Sequence, residues 1–138
     1  MTLQPDSKKT LISEFQFVVQ KLNESIPFDE KLFFYSALHG TVNRLLNADP
    51  SPELVFLHHV LNTMYAAFNG RIQALKAGDP FVKIDENIMT KFIEYNAELQ
   101  SHIEADLPLQ EVYLKMISLA YVTTGNGYYL YARGKLQI

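Results

Sequence analysis

Four histidines are the residues of this chain best suited to chemistry, and their spacing sets what they can do. Imidazole is the commonest protein metal ligand, and helical bundles hold metals between facing helices. His39 falls within an apolar stripe of Phe28, Leu32, Tyr35, His39, Val42 and Leu46, which reads as a hydrogen-bonded core histidine. His58 and His59 are adjacent, so on a helix they point about 100° apart and do not easily share one ion. Both are expected on a polar side with Asn62 and Asn69. Glu98, His102 and Asp106 recur every four residues along one helical face, a spacing at which a glutamate and a histidine can hold a divalent cation. The Glu-x-x-His pairs of di-iron bundles are missing, so the stripe reads as a solvated face with ordinary side-chain pairing. No metal and no cofactor is expected.

Catalytic chemistry has no better foothold. None of the serines sits in a nucleophile elbow. Gly125 and Gly127 lack the remaining spacing, and the Lys-[Ser/Thr] end, of a phosphate-binding loop. The absence of cysteine excludes disulfides, zinc ribbons, iron–sulfur clusters and thiol nucleophiles. The chain therefore reads as non-enzymatic.

The longest stretch without a charge or a histidine runs from Met116 to Ala132. It contains serine, threonines, glycines, an asparagine and four tyrosines, too polar a mixture for a membrane span of about twenty apolar residues. It reads instead as a helix covered by protein. Tyrosine has an apolar ring and a hydroxyl that needs a partner, which suits it to interfaces and pocket mouths. Tyr121, Tyr128, Tyr129 and Tyr131 are thus assigned to a subunit contact or to a pocket. Phe33, Phe34, Tyr35, His39, Phe68 and Phe92 supply the aromatic and polar lining such a pocket would use.

These residues must be positioned by helices, because apolar residues recur at intervals of three and four and no run alternates with period two. The pattern predicts an all-α bundle of about five helices, near 7–23, 28–47, 52–77, 86–105 and 109–124. A kink or break is expected at 125–127, followed by a short continuation as helix or strand. Ser7 or Asp6, Ser51 ahead of Pro52, and Asp85 are the expected N-caps. The third helix, at about 39 Å, is long for a domain of this size, so it should bend at Asn69-Gly70 or protrude to meet another subunit.

A length of 138 residues fits one hydrophobic core and one helical domain over 1–138. Twelve basic against fifteen acidic residues, with the basic ones scattered, give no concentrated positive face and disfavour nucleic acid. The first nine residues carry no apolar run behind their charges, which implies no signal peptide and a cytoplasmic address. The segment Ala37-Leu38-His39-Gly40-Thr41-Val42 resembles the distal-histidine segment of globins. No second histidine follows at the interval of a proximal haem ligand, since His58 and His59 come early and His102 late, so the resemblance extends to a haem-free sensor and assigns no family. The expected function is association, through a homodimer using the third and fifth helices. The alternative is an apolar small-molecule binding or sensor domain with an aromatic-lined pocket.

Overall fold

The computed structural model describes residues 3–80, 82–83 and 85–138; Met1, Thr2, Phe81 and Ile84 lie outside the described residues. Six α-helices form among them: α1 Pro5–Leu22, α2 Phe28–Ala48, α3 Pro52–Lys76, α4 Glu86–Glu104, α5 Gln110–Thr123 and α6 Gly125–Ala132. The contacts between elements close a ring, with α1 on α2, α2 on α3, α3 on α5, α5 on α4 and α4 on α1. A sixth contact docks α6 on α5. Each of the first five helices therefore turns one apolar stripe to a shared centre, the arrangement that hides amphipathic helices joined by short loops.

Helix starts follow local chemistry. Ser51 accepts from the Leu54 amide at 3.2 Å, with Pro52 at the first helical position. Asp85 accepts from the Ile88 amide at 3.1 Å. A cap of this kind contributes about 1 kcal/mol by pairing an amide the helix leaves free. The expectation for α1 needs correcting: the helix begins at Pro5, with Gln4 in the cap position, and Ser7 is buried inside the first turns. A proline at the first position explains the earlier start, because its fixed φ suits a helix and its missing N–H is not needed there.

The C-terminal break is a true one. Thr124 is extended, Gly125 takes φ 54°, and α6 then resumes as helix rather than strand. Gly127 is buried against Tyr121 so closely that a Cβ would collide with the Tyr121 carbonyl. Absence of a side chain at this point is what lets α6 fold onto α5.

At the centre of the ring Phe68 and Phe92 lie 4.4 Å apart, centroid to centroid, and Tyr35 lies 4.9 Å from Phe92. Phe28 contacts both phenylalanines at the α2 end. The long α3 buries residues from Leu54 to Ile72 along its length. Its last turn does not protrude, because Lys76 pairs with Asp29 at the start of α2 at 2.9 Å. No helix among the described residues is long and apolar enough to cross a membrane.

Candidate functional site

The residues singled out by their types are divided by the fold rather than gathered. Tyr35 and Phe68 are core residues with 0% and 1% exposure, packed through Phe92. Phe33 is 71% exposed and stacks edge-on with Phe34, which in turn meets Phe17 of α1 on the outside of the bundle. The aromatic residues expected to surround one cavity thus face two directions, because Phe33 and Tyr35 are two residues apart on a helix and point to different sides. Tyr35 Oη and Asn96 Oδ1 are both buried without a hydrogen bond of ordinary geometry, the Asn96 side chain being the polar group that acts on the Tyr35 hydroxyl, while Asn96 Nδ2 donates to the Phe92 carbonyl. Burial holds the Tyr35 hydroxyl far above the usual phenol range, so it stays protonated.

The tyrosine group also splits. Tyr128 stacks under the Arg71 guanidinium at 4.2 Å, and Tyr131 Oη accepts from Asn87 Nδ2 at 2.9 Å. Tyr121 and Tyr129 are exposed, Tyr129 with Arg133 over its ring at 4.5 Å. Glu98, His102 and Asp106 do not gather around one point: Glu98 lies 3.9 Å from His102 Nε2 and pairs with Lys115 at 3.0 Å, His102 Nδ1 lies 2.9 Å from the Pro108 carbonyl, and Asp106 reaches Lys8 at 2.7 Å. No group of three or more His, Cys, Asp or Glu residues is placed to hold a metal ion among the described residues.

His58, half-buried, stands one turn from the exposed Asn62 on the same side of α3, as expected, and its ring also packs on His39 of α2, with ring centroids 4.3 Å apart. Helical periodicity places a residue around its own axis; it does not say which neighbouring helix closes over that sector. His39 Nε2 is shielded from solvent and lacks a hydrogen-bond partner. The hydrogen-bonded state expected for His39 is not made at that atom.

Sequence reasoning missed the outer face of α5. This helix buries Val112, Met116, Leu119 and Ala120, yet on its other side Leu114, Ile117 and Tyr121 are 61%, 41% and 51% exposed. With Gln110 they follow the 4-3-4 spacing of a coiled-coil seam. Phe56 of α3, 55% exposed, extends the patch across the α3–α5 junction and stacks on Tyr113 at 5.0 Å. Phe56, Gln110, Tyr113, Leu114 and Ile117 enclose an apolar cleft of about 460 Å³. A second cleft of about 310 Å³ lies on the far side of Leu114, lined by Tyr95, Lys115, Ser118 and the chain end at Gln137 and Ile138. Leu114 is therefore a ridge between two hollows. The signal was present in the sequence as an α5 apolar on two sides, but periodicity alone does not reveal which side the bundle covers.

The electrostatics of this face are nearly neutral. Glu111 and Lys115 flank it with opposite charges, and Lys115 is held above the usual lysine range by Glu98. Tyr113 Oη is buried without a partner beside the larger cleft, and burial keeps it protonated. Four side chains of this size, each about half exposed, present on the order of 400 Å² of contiguous surface, the scale at which an apolar patch marks an interaction site. Comparison with protein-family models, with curated proteins and with solved structures gives no match to this chain.

Proposed function

We propose that this protein is a cytoplasmic, non-enzymatic helical bundle that works through self-association, two copies pairing through the outer face of α5. The observation that carries this reading is the exposed ridge of Leu114 beside an apolar hollow on the same face. A two-fold interface joins a surface to itself, so a ridge needs a groove within the same patch. Leu114 and the Phe56–Ile117 cleft supply both. The flanking acid and base cancel, so the face has no net charge with which to select an acidic or basic partner. About 400 Å² of apolar side chain is half of the roughly 800 Å² per partner in a standard interface, leaving a polar rim to complete it.

Size-exclusion chromatography with light scattering tests this at tens of micromolar protein. The wild type is expected as a dimer and Leu114→Asp as a monomer with unchanged helical circular dichroism. A wild type that runs strictly as a monomer removes the reading.

The unpartnered Tyr113 hydroxyl favours a second reading, in which the same cleft takes a small apolar molecule carrying one hydrogen-bond acceptor. Native mass spectrometry separates the two, since a monomer with a co-purified ligand supports the second and a bare dimer the first.

A further inference from the structure

The apolar seam on the outside of α5 leans towards α3. At 100° per residue, Gln110, Leu114, Ile117 and Tyr121 fall within an arc of about 60°. Tyr113, which stacks on Phe56 of α3, stands about 70° from the centre of that arc, whereas Lys115, which pairs with Glu98 of α4, stands about 130° away on the other side. The two helices run in the same direction, since Phe56 meets Tyr113 near both starts and Arg71 reaches the Thr123 carbonyl near both ends. Between Glu53 and Lys76 the one charged residue of α3 is Arg71, and it is buried. Phe56, His59, Thr63, Ala66 and Gly70 are exposed along the flank, so α3 meets solvent there without a charge. The outer face of a bundle helix normally carries charged side chains.

We propose, resting on the self-association reading above, that this flank of α3 is the second half of the interface and that the two copies pair with their α5 helices antiparallel. The α5 patch supplies about half of the roughly 800 Å² per partner in a standard interface. The α3 flank is the adjoining surface that can supply the rest without burying a charge, which is costly.

Side-chain type and symmetry together set the direction. In heptad terms Gln110 and Ile117 are d positions, and Leu114 and Tyr121 are a positions. Leucine at a with isoleucine at d suits larger parallel assemblies rather than parallel pairs. Turning the seam end for end instead sets Leu114 on the partner's Ile117, and Gln110 within reach of the hydroxyl on the partner's Tyr121, an amide and a phenol that can each donate and accept. A two-fold axis perpendicular to α5 carries α3 onto its own counterpart, whereas an axis parallel to α5 sets α3 against the α4 side with its Glu98–Lys115 pair. Only the first leaves that pair at the solvated edge.

The chain has no cysteine, so introduced thiols report the pairing directly. Along one helix Gln110 and Tyr121 are about 16 Å apart, far beyond the roughly 4 Å between Cβ atoms that a disulfide spans. Full-length Gln110→Cys and Tyr121→Cys chains, oxidised with glutathione disulfide, are expected to cross-link when mixed and at least tenfold less when either is alone. Light scattering is expected to show dimerisation weakened at least tenfold by Thr63→Glu, which places a good helix former at an exposed site of α3, and unchanged by Gln20→Glu on α1. Cross-links as abundant in either variant alone as in the mixture, none in the mixture, or a Thr63→Glu dimer as tight as the wild type overturns the wider antiparallel interface; a wild-type dimer that Leu114→Asp dissociates then leaves self-association standing. A wild type that stays monomeric removes both.

Discussion

The guanidinium of Arg71 lies 4.2 Å from the centre of the Tyr128 ring, sandwiching an arginine of α3 against a tyrosine of α6. The same group donates from Nε and Nη2 to the Lys83 carbonyl, at 2.8 and 2.6 Å, and from Nη1 to the Thr123 carbonyl at 2.8 Å. One side chain thereby joins α3, the approach to α4, the end of α5 and α6. Arg71→Leu keeps an apolar stem but leaves two carbonyls without their donor. A loss of about 3 kcal/mol is expected, since hydrogen bonds from a charged group contribute roughly 1.5–3 kcal/mol each and part of the loss is recovered by solvent. Arg71→Lys reaches one carbonyl at most and should fall between. Urea unfolding measures both, and an unchanged midpoint for Arg71→Leu removes the clamp.

Gly127 governs whether α6 docks at all. A methyl group there meets the Tyr121 backbone rather than a side chain that can swing aside. Gly127→Ala should therefore lift α6 from α5 and cost about 1–3 kcal/mol, the range for overpacking a fitted contact. Hydrogen exchange gives the sharper test: amides of α6 should lose protection while those of α2 and α3 keep theirs. Equal protection in the variant would show that the helices separate without strain.

These two contacts also mark where the sequence was readable and where it was not. Ser51-Pro52-Glu53, Asp85 and the Gly125–Gly127 break announce themselves because caps and breaks depend on residues a few positions apart. The role of Arg71 has no local signal, since its partners lie 12 and 52 residues away along the chain. Burial of Tyr128 follows from that arginine and not from its own surroundings in sequence. The contact of His58 with His39 is unreadable for the same reason, because it joins two separate helices. The exposed α5 stripe was hidden by the opposite error: an uncharged helix suggests cover on all sides, and only the ring of contacts shows that one side has none.

Tyr35 is fully buried with a hydroxyl that makes no hydrogen bond of ordinary geometry, its one polar neighbour being the Asn96 side chain, whose carbonyl oxygen makes none either. Removing a polar group so weakly paired takes away a desolvation cost and little interaction. Tyr35→Phe keeps the ring against Phe92 and is expected to leave stability unchanged or raise it by up to about 1 kcal/mol. Thermal unfolding would decide; a clear loss would mean that the hydroxyl does work with Asn96.

Acid should loosen the α2–α3 seam before it touches the surface carboxylates. Because the His58 pKa is lowered in the fold, the unfolded chain takes up a proton near the ordinary value of 6.5 while the folded protein still resists. Below that pH the unfolded state binds more protons, so stability falls as pH drops through this window and is level above it. Asp29, Glu104 and Asp106 have lowered values too, but their contributions are lost only as pH falls through the carboxylate range. The interval from about pH 6.5 down to about 5 therefore belongs to the histidine. Urea midpoints at pH 7.5 and 5.5 should differ for the wild type and converge in His58→Gln. If the glutamine variant keeps the full difference, the protonation that weakens the fold lies elsewhere than at the stacked pair.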